Sequence, residues 1–133
     1  MHHAQRGVIY ISSLISTSDP KKQNEIMQPN FVSLDRSGIF SSSMIFIPWK
    51  VNGNHWFLIH ISGWKILESG STEQPRKMSI TIYDSYGKDN KRAVNKAISL
   101  LSKQWNNAHT LLGYESNSTK MQYNLRYHKR KKL

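Results

Sequence analysis

Two residues of complementary chemistry stand at the ends of two apolar segments. His55 begins the segment 55–62, and Asp84 closes the segment 78–84. If the segments pair as antiparallel strands, the start of the first lies beside the end of the second. An imidazole next to a carboxylate makes a general base and the group that orients it. The spacing therefore predicts a base-and-carboxylate site at one end of a sheet.

No cysteine occurs among the 133 residues. A disulfide framework, a thiolate metal site and a thiol nucleophile are thereby excluded within this sequence. The absence of cysteine favours a nuclear or cytoplasmic location. No apolar run approaches the roughly 20 residues of a membrane-spanning helix, so no membrane association is expected.

The length suits one domain with one hydrophobic core, and the formal net charge of +11 is high for that length. Such charge attracts polyanions or an acidic partner. Much of it lies in the basic run His128–Lys132, which is typical of a solvated tail and allows contact with nucleic acid. Because no aromatic residue is interleaved in that run, the charge alone does not indicate a nucleic-acid-binding domain.

The segments before residue 39 carry the weakest signals. Val8–Ile15 suits a short strand or a helix. Thr17–Asn30 is polar and contains Pro20 and Pro29, which predicts a loop.

From residue 39 the pattern predicts strands. Met44–Ile47 is apolar and rich in β-branched residues, and Pro48 either ends this strand or marks an edge position. Asn52-Gly53 is a strong turn signal. His55–Ser62 and Met78–Tyr83 follow as strands, and the first, apolar on both faces, predicts a central strand covered on both sides. One of its faces holds Trp56 and Leu58, and the other holds Phe57, Ile59 and Ile61.

A helix is predicted after these strands, with Asp89 as N-cap and an end near Trp105. Thr110–Tyr114 is a candidate for a further short strand, and the chain after Glu115 is polar and then basic. The order predicts an α+β domain with an antiparallel core. The apolar stripe of the helix is Val94, Ala97, Ile98, Leu101 and Trp105.

These motifs, in this order, resemble a known enzyme family. Ile45-Phe-Ile-Pro48, the pair His55-Trp56, the run Tyr83-Asp84-Ser85 and the amphipathic helix are similar to the catalytic domain of the ubiquitin-like-protein-specific (SUMO-type) cysteine proteases. That family is distantly papain-like and related to adenain, the adenoviral protease. The resemblance implies an α+β papain-like or adenain-like core, with an antiparallel sheet and flanking helices, incomplete at its C-terminus. It implies neither cofactor nor metal.

The resemblance also implies roles for individual residues. His55 is the expected general base, Asp84 its orienting carboxylate and Gln122 the donor of the oxyanion hole. His128 stands where the family has its nucleophilic cysteine. Trp56 is expected to wall a narrow channel for a Gly-Gly tail, although a core tryptophan is an equal alternative.

Simpler interpretations stay open for each residue. His55 alone suits a polar strand start, Asp84 a strand-end turn residue, and Gln122 an exposed residue of a mobile tail. His60, five positions after His55, points to the other strand face and cannot share a metal with it. If Trp64–Leu67 formed an intervening strand, the proximity of His55 and Asp84 would be lost.

The sequence thus predicts an N-terminal segment 1–38, a partial ubiquitin-like-protease-type domain 39–128 and a basic tail 129–133. We expect a peptidase-family domain for deconjugation of ubiquitin-like proteins. Because the sequence has no nucleophilic cysteine, we expect it to be inactive. Its gene is then expected to be truncated, frameshifted or incompletely assembled. One alternative is a pseudoprotease that binds a ubiquitin-like protein without cleaving it. Another is a basic protein associated with nucleic acid.

Overall fold

The computed structural model describes residues 8–37, 44–52, 55–64, 77–84, 90–111 and 121–128. A short 3-10 helix over Ser13–Thr17 follows the first strand. The remaining elements are β1 (Val8–Tyr10), α1 (Pro20–Ser37), β2 (Met44–Asn52), β3 (His55–Ser62), β4 (Met78–Asp84), α2 (Lys91–Leu111) and β5 (Tyr123–His128).

The strands form one five-stranded sheet in the order β1-β2-β3-β4-β5. β3 pairs antiparallel with both β2 and β4, so the predicted antiparallel centre is confirmed. The two edge strands are parallel to their neighbours, which makes the whole sheet mixed. The α+β class predicted from the sequence is confirmed.

β2 continues through Pro48, so of the two predicted alternatives the strand end was wrong and the edge position is confirmed. The carbonyl of Phe46 accepts from the N–H of Ile11, and the N–H of Lys50 donates to the Ser16 hydroxyl. The backbone groups of alternate residues therefore point away from β3, and those of Pro48 do the same. β1 ends opposite Phe46, so no strand pairs with β2 on that side at Pro48. The sheet therefore loses no hydrogen bond through the missing N–H of Pro48.

β3 is the central strand, as predicted, but only one of its faces is fully buried. Phe57, Ile59 and Ile61 lie in the core, whereas Trp56 is exposed and Leu58 is half-buried. The expectation that both faces are covered was therefore wrong for the described residues.

A helix, α1, occupies the stretch predicted to be a loop. Pro20 is its first residue, a position where an N–H has no helical partner, and the Asp19 carboxylate caps the helix by accepting from Lys22 N–H at 2.8 Å. Met27 is buried in the core, and the Gln104 side chain donates to the Asn24 side chain across the contact with α2. Packing of α1 on α2 therefore overrides the helix-breaking signal of Pro29, which lies inside the helix.

α2 carries the predicted apolar stripe into the core and runs six residues past the expected end at Trp105. Thr110 and Leu111 belong to this helix rather than to a strand, and 112–114 lie outside the described residues. Asp89 lies outside them as well. No helix in the described ranges is long and apolar enough to cross a membrane.

β5 is the element that the sequence analysis missed. Its residues alternate as Tyr-Asn-Leu-Arg-Tyr-His, and Leu125 and Tyr127 pack against the core. This period of two is the signal for the strand in the sequence, where the polar composition after Glu115 instead predicts a polar stretch leading to a basic tail.

The buried stripe of α2 should carry much of the stability. Leu101→Ala removes a buried side chain and leaves a cavity, so we expect the free energy of unfolding to fall by about 2–5 kcal/mol. Leu14→Ala is the matched control, because Leu14 is exposed and should change it by less than about 0.5 kcal/mol. Urea unfolding of the wild-type chain and the two variants measures both changes in the free energy of unfolding. Equal losses in the two variants would contradict this description of the core.

Candidate active site

The register of β3 and β4 brings His55 and Asp84 together. Phe57 stands opposite Asp84 in this antiparallel ladder, so His55, two residues earlier on the same strand face, lies beside the carboxylate. His55 Nε2 and Asp84 Oδ2 are 3.0 Å apart. The predicted proximity is confirmed. Since β4 pairs antiparallel with β3, the alternative in which that proximity is lost was wrong, while residues 65–67 of its intervening strand lie outside the described residues. The catalytic roles of the two residues stay predictions.

A β-bulge in the neighbouring strand adjoins this position. Lys50 pairs with Trp56 and Asn52 pairs with His55, so Val51 is an extra residue on β2. A bulge increases local twist and re-aims side chains, and bulges are frequent next to active sites. This one lies at the hairpin end of the sheet, beside the first residue of β3.

Asn90 completes the site, and the sequence analysis did not identify it. It is the residue just before α2, and its carbonyl accepts from Val94 N–H, as an N-cap carbonyl does. Its side chain turns to the pair instead: Nδ2 lies 2.7 Å from Asp84 Oδ2 and 3.0 Å from His55 Nε2. The signal for it was an Asn at the start of the predicted helix, where Asp89 was chosen as the cap.

Two of the three contacts in this triangle of atoms are hydrogen bonds when His55 Nε2 carries the ring proton. Asn90 Nδ2 is a donor and Asp84 Oδ2 an acceptor, so the 2.7 Å contact is an amide-to-carboxylate hydrogen bond. His55 Nε2 also donates to Oδ2 when it carries the ring proton. Oδ2 then accepts both hydrogen bonds, and this pairing favours the Nε2–H tautomer of the imidazole, in which Nδ1 is the basic ring nitrogen.

A cationic groove of about 510 Å³ adjoins this site. It shares Asn90 with the triangle of polar atoms formed by Asn90, His55 and Asp84. Its described lining residues include Lys91, Arg92 and Lys96 of α2, and Lys50 of β2, whose ammonium lies over the Trp56 ring; none of these described residues is Asp or Glu. Its electrostatics therefore favour an acidic ligand.

Gln122 is not brought to this end of the sheet. Its carbonyl accepts from Met78 N–H, which places it beside the first residue of β4, whereas Asp84 is the last. At about 3.3 Å per residue, the length of β4 separates the two positions by roughly 20 Å. In this structure Gln122 thus lies too far away to donate to an oxyanion formed near His55.

His128 is near the pair in register but lies on the other face of the sheet. It pairs with Tyr83, and the two rings are 4.9 Å apart on the face opposite the core. Asp84 points to the core face. The structure therefore does not place His128 against His55, and the residues that follow β5 lie outside the described ranges.

Trp56 is 41% exposed and stands next to His55 in the chain, on the opposite face of β3. The Lys50 ammonium lies 5.7 Å from its ring centroid. This exposure rules out a core tryptophan, while its role in a substrate channel stays a prediction. His60 also lies on the opposite face from His55, as predicted, and stacks on Phe46 at 4.8 Å between ring centroids.

Comparison with known families assigns the chain. The family model for the Ulp1 protease family, C-terminal catalytic domain, matches residues 18–124. Because this match spans most of the chain, the protein belongs to the Ulp1 family of ubiquitin-like-protein proteases, as the motifs predicted. The match starts within the N-terminal segment and ends inside β5, so it includes His55, Asp84 and Asn90.

A solved structure, a cysteine-to-alanine mutant of Xanthomonas XopD, is similar to this chain with 16% sequence identity and a TM-score of 0.39. The similarity covers 87% of this chain and 55% of that one, so this chain spans little more than half the length of XopD in that structure. No curated protein matches the sequence.

The hydrogen bond from Asn90 should stabilise the fold measurably. Asn90→Ala leaves the buried Asp84 carboxylate with one charge-assisted hydrogen bond fewer, so we expect a loss of about 1.5–3 kcal/mol in the free energy of unfolding. Asn95→Ala, on the exposed face of the same helix, should change it by less than about 0.5 kcal/mol. Thermal unfolding compares them, and an Asn90→Ala protein as stable as Asn95→Ala would show that the contact contributes nothing.

Proposed function

We propose that this chain binds the C-terminal tail of a ubiquitin-like protein at the hairpin end of its sheet and does not cleave it. The observation that carries the proposal is the His55–Asp84 hydrogen bond of 3.0 Å next to an exposed Trp56, in a family domain without cysteine. The base and its orienter are in place, and the thiol they would serve is not among these residues.

The family's chemistry explains why cleavage is not expected. In a thiol protease the imidazole takes the proton of a cysteine, and the thiolate attacks the carbonyl carbon of the scissile bond. Expulsion of the amine leaves an acyl-enzyme, which water hydrolyses. Without sulfur the first covalent bond cannot form, and an imidazole at position 128 is no substitute because its acyl derivative is unstable. The 133 residues alone should therefore not hydrolyse a Gly-Gly amide, which a fluorogenic substrate would show.

A non-catalytic binding role uses the parts that are present. Trp56 follows His55 in the chain and lies on the other face of β3. At the same end of the sheet it offers an exposed aromatic surface, suited to an extended glycine tail that has no side chains of its own. The groove lined by Arg92 and Lys96 offers positive charge to an acidic surface on the body of the same partner.

The tail contact is tested by calorimetric titration of a SUMO-type modifier that ends in Gly-Gly. We expect binding that weakens at least about tenfold when Trp56 is changed to Ala, because buried aromatic anchors dominate interface energies. The same modifier without its two terminal glycines should bind the wild-type chain equally weakly. Equal affinity for both forms of the modifier, or no binding, would refute the proposed tail site.

The groove is tested by two charge reversals on α2. Lys96→Glu places a carboxylate in the groove and should slow association and reduce the salt dependence of binding. Lys103→Glu changes the overall charge by the same amount at an exposed position that does not line the groove. Stopped-flow measurements with the same modifier compare the two, and matching rates would remove the groove from the interface.

A second candidate, contact of nucleic acid with the basic run 128–132, rests on its charge alone. A nuclear or cytoplasmic location fits both candidates and is proposed with them. A fluorescent fusion in intact cells would test it.

A further inference from the structure

One aromatic ring from each strand forms a continuous row across the sheet. The rings belong to Tyr10, Phe46, His60, Tyr83 and His128, and we call this set the aromatic row. Successive centroids are 5.4, 4.8, 6.4 and 4.9 Å apart, and the first two pairs are stacked.

Strand register produces this row. Tyr10 pairs with Phe46, Phe46 pairs with His60, and Tyr83 pairs with His128. Residues that pair directly lie on the same face, and the buried residues of these strands alternate with them. The row therefore lies on the face of the sheet opposite the hydrophobic core.

Part of this face is open to solvent. Tyr10, at the β1 end of the row, is 72% exposed, and Tyr83 is 38% exposed. A ring at the end of a stacked row can accept one more planar group on its outer side. Exposed aromatic surface of this kind is typical of a binding site.

The charge of the face is positive. Lys50 on β2 and Arg126 on β5 lie on it, because each pairs with a residue of that face, Trp56 and Thr81 respectively. Among the described strand residues the face carries no Asp or Glu, since Asp84 points to the core. The chain continues from His128 into Lys-Arg-Lys-Lys, and the whole sequence has a formal charge of +11.

We propose that the aromatic row is a binding surface for single-stranded nucleic acid. Bases stack on exposed rings, of which Tyr10 is the most accessible, and phosphates contact Lys50 and Arg126. Unpaired bases offer the planar faces that such rings accept, whereas paired bases in a duplex do not. The proposal does not use the His55–Asp84 pair, which lies on the core face, although Lys50 adjoins Trp56. It uses the sheet face rather than the terminal basic run.

A protein partner is the other class of occupant that an exposed apolar face allows. Two observations favour nucleic acid: the exposed rings are accompanied by cations, and the described residues of this face carry no carboxylate to repel phosphate. Charge complementarity therefore selects a polyanion that also has aromatic groups.

The experiment compares two fluorescent probes of equal charge by anisotropy, using the full 133-residue chain. One is a single-stranded oligothymidine, and the other is an abasic oligomer with the same number of phosphates. We expect the oligothymidine to bind at least about fivefold more tightly, because base stacking adds to phosphate contact. Equal affinities would mean that charge alone binds, and would overturn the proposal.

Variants locate the site. Tyr10→Ala and Tyr83→Ala should each remove most of the preference for the oligothymidine, and Tyr10→Trp should preserve it because a larger ring still stacks. Tyr123→Ala is the matched control: Tyr123 is 37% exposed, close to Tyr83, but pairs with buried Met78 and so lies on the other face. Tyr10 is at a sheet edge and highly exposed, so its replacement tests the row without loss of the fold.

Two results would reject the aromatic row as the site. The preference could survive in both alanine variants, or Lys131→Ala with Lys132→Ala could abolish it while Tyr10→Ala does not. Sedimentation of the probe-free chain adds a third test, because self-association that Tyr10→Ala removes would identify the face as an interface between copies.

Discussion

In the antiparallel ladder of β3 and β4, Phe57 stands opposite Asp84, and the candidate site depends on that register. It sets His55 two positions beyond the end of β4 and on the same strand face as Asp84, so the two side chains come within 3.0 Å. Because side chains alternate along a strand, a slip by one residue would turn Asp84 to the solvent face and break the pair. The buried faces of both strands resist such a slip, since it would expose Ile59, Ile61 and Ile80.

The same alternation divides the sheet into two faces, each of which carries one of the proposed sites. The core face carries the carboxylate and imidazole at its edge, where Asn90 at the start of α2 can reach them. The opposite face carries Trp56 and the aromatic row. One strand, β3, therefore supplies neighbouring residues to both faces, and His55-Trp56 is the dipeptide where they meet.

The position of α2 connects packing with the site. Its stripe of buried residues fixes the helix against the sheet, and that packing sets where its first turn lies. Asn90 consequently reaches Asp84, while Arg92 and Lys96 line the adjoining groove. A shift of this helix would move the hydrogen-bond donor and the positive charge together, so the core and the chemistry of the site are linked through one element.

Local patterns in the sequence were enough to predict β3, β4, the apolar stripe of α2, the pair His55–Asp84 and the family. Each is encoded by neighbouring residues: alternation along a strand, a period of 3.6 in a helix, or a short motif at a strand end. Tertiary structure decided the rest. α1 forms despite Pro29 because it is capped by Asp19 and buried against α2, and β2 passes Pro48 because β1 has already ended. β5, parallel to β4, carries Gln122 to the far end of the sheet, and Asn90 joins the pair across a sequence gap of 35 residues to His55. Those outcomes depend on which distant segment lies alongside, and no spacing within one segment encodes that.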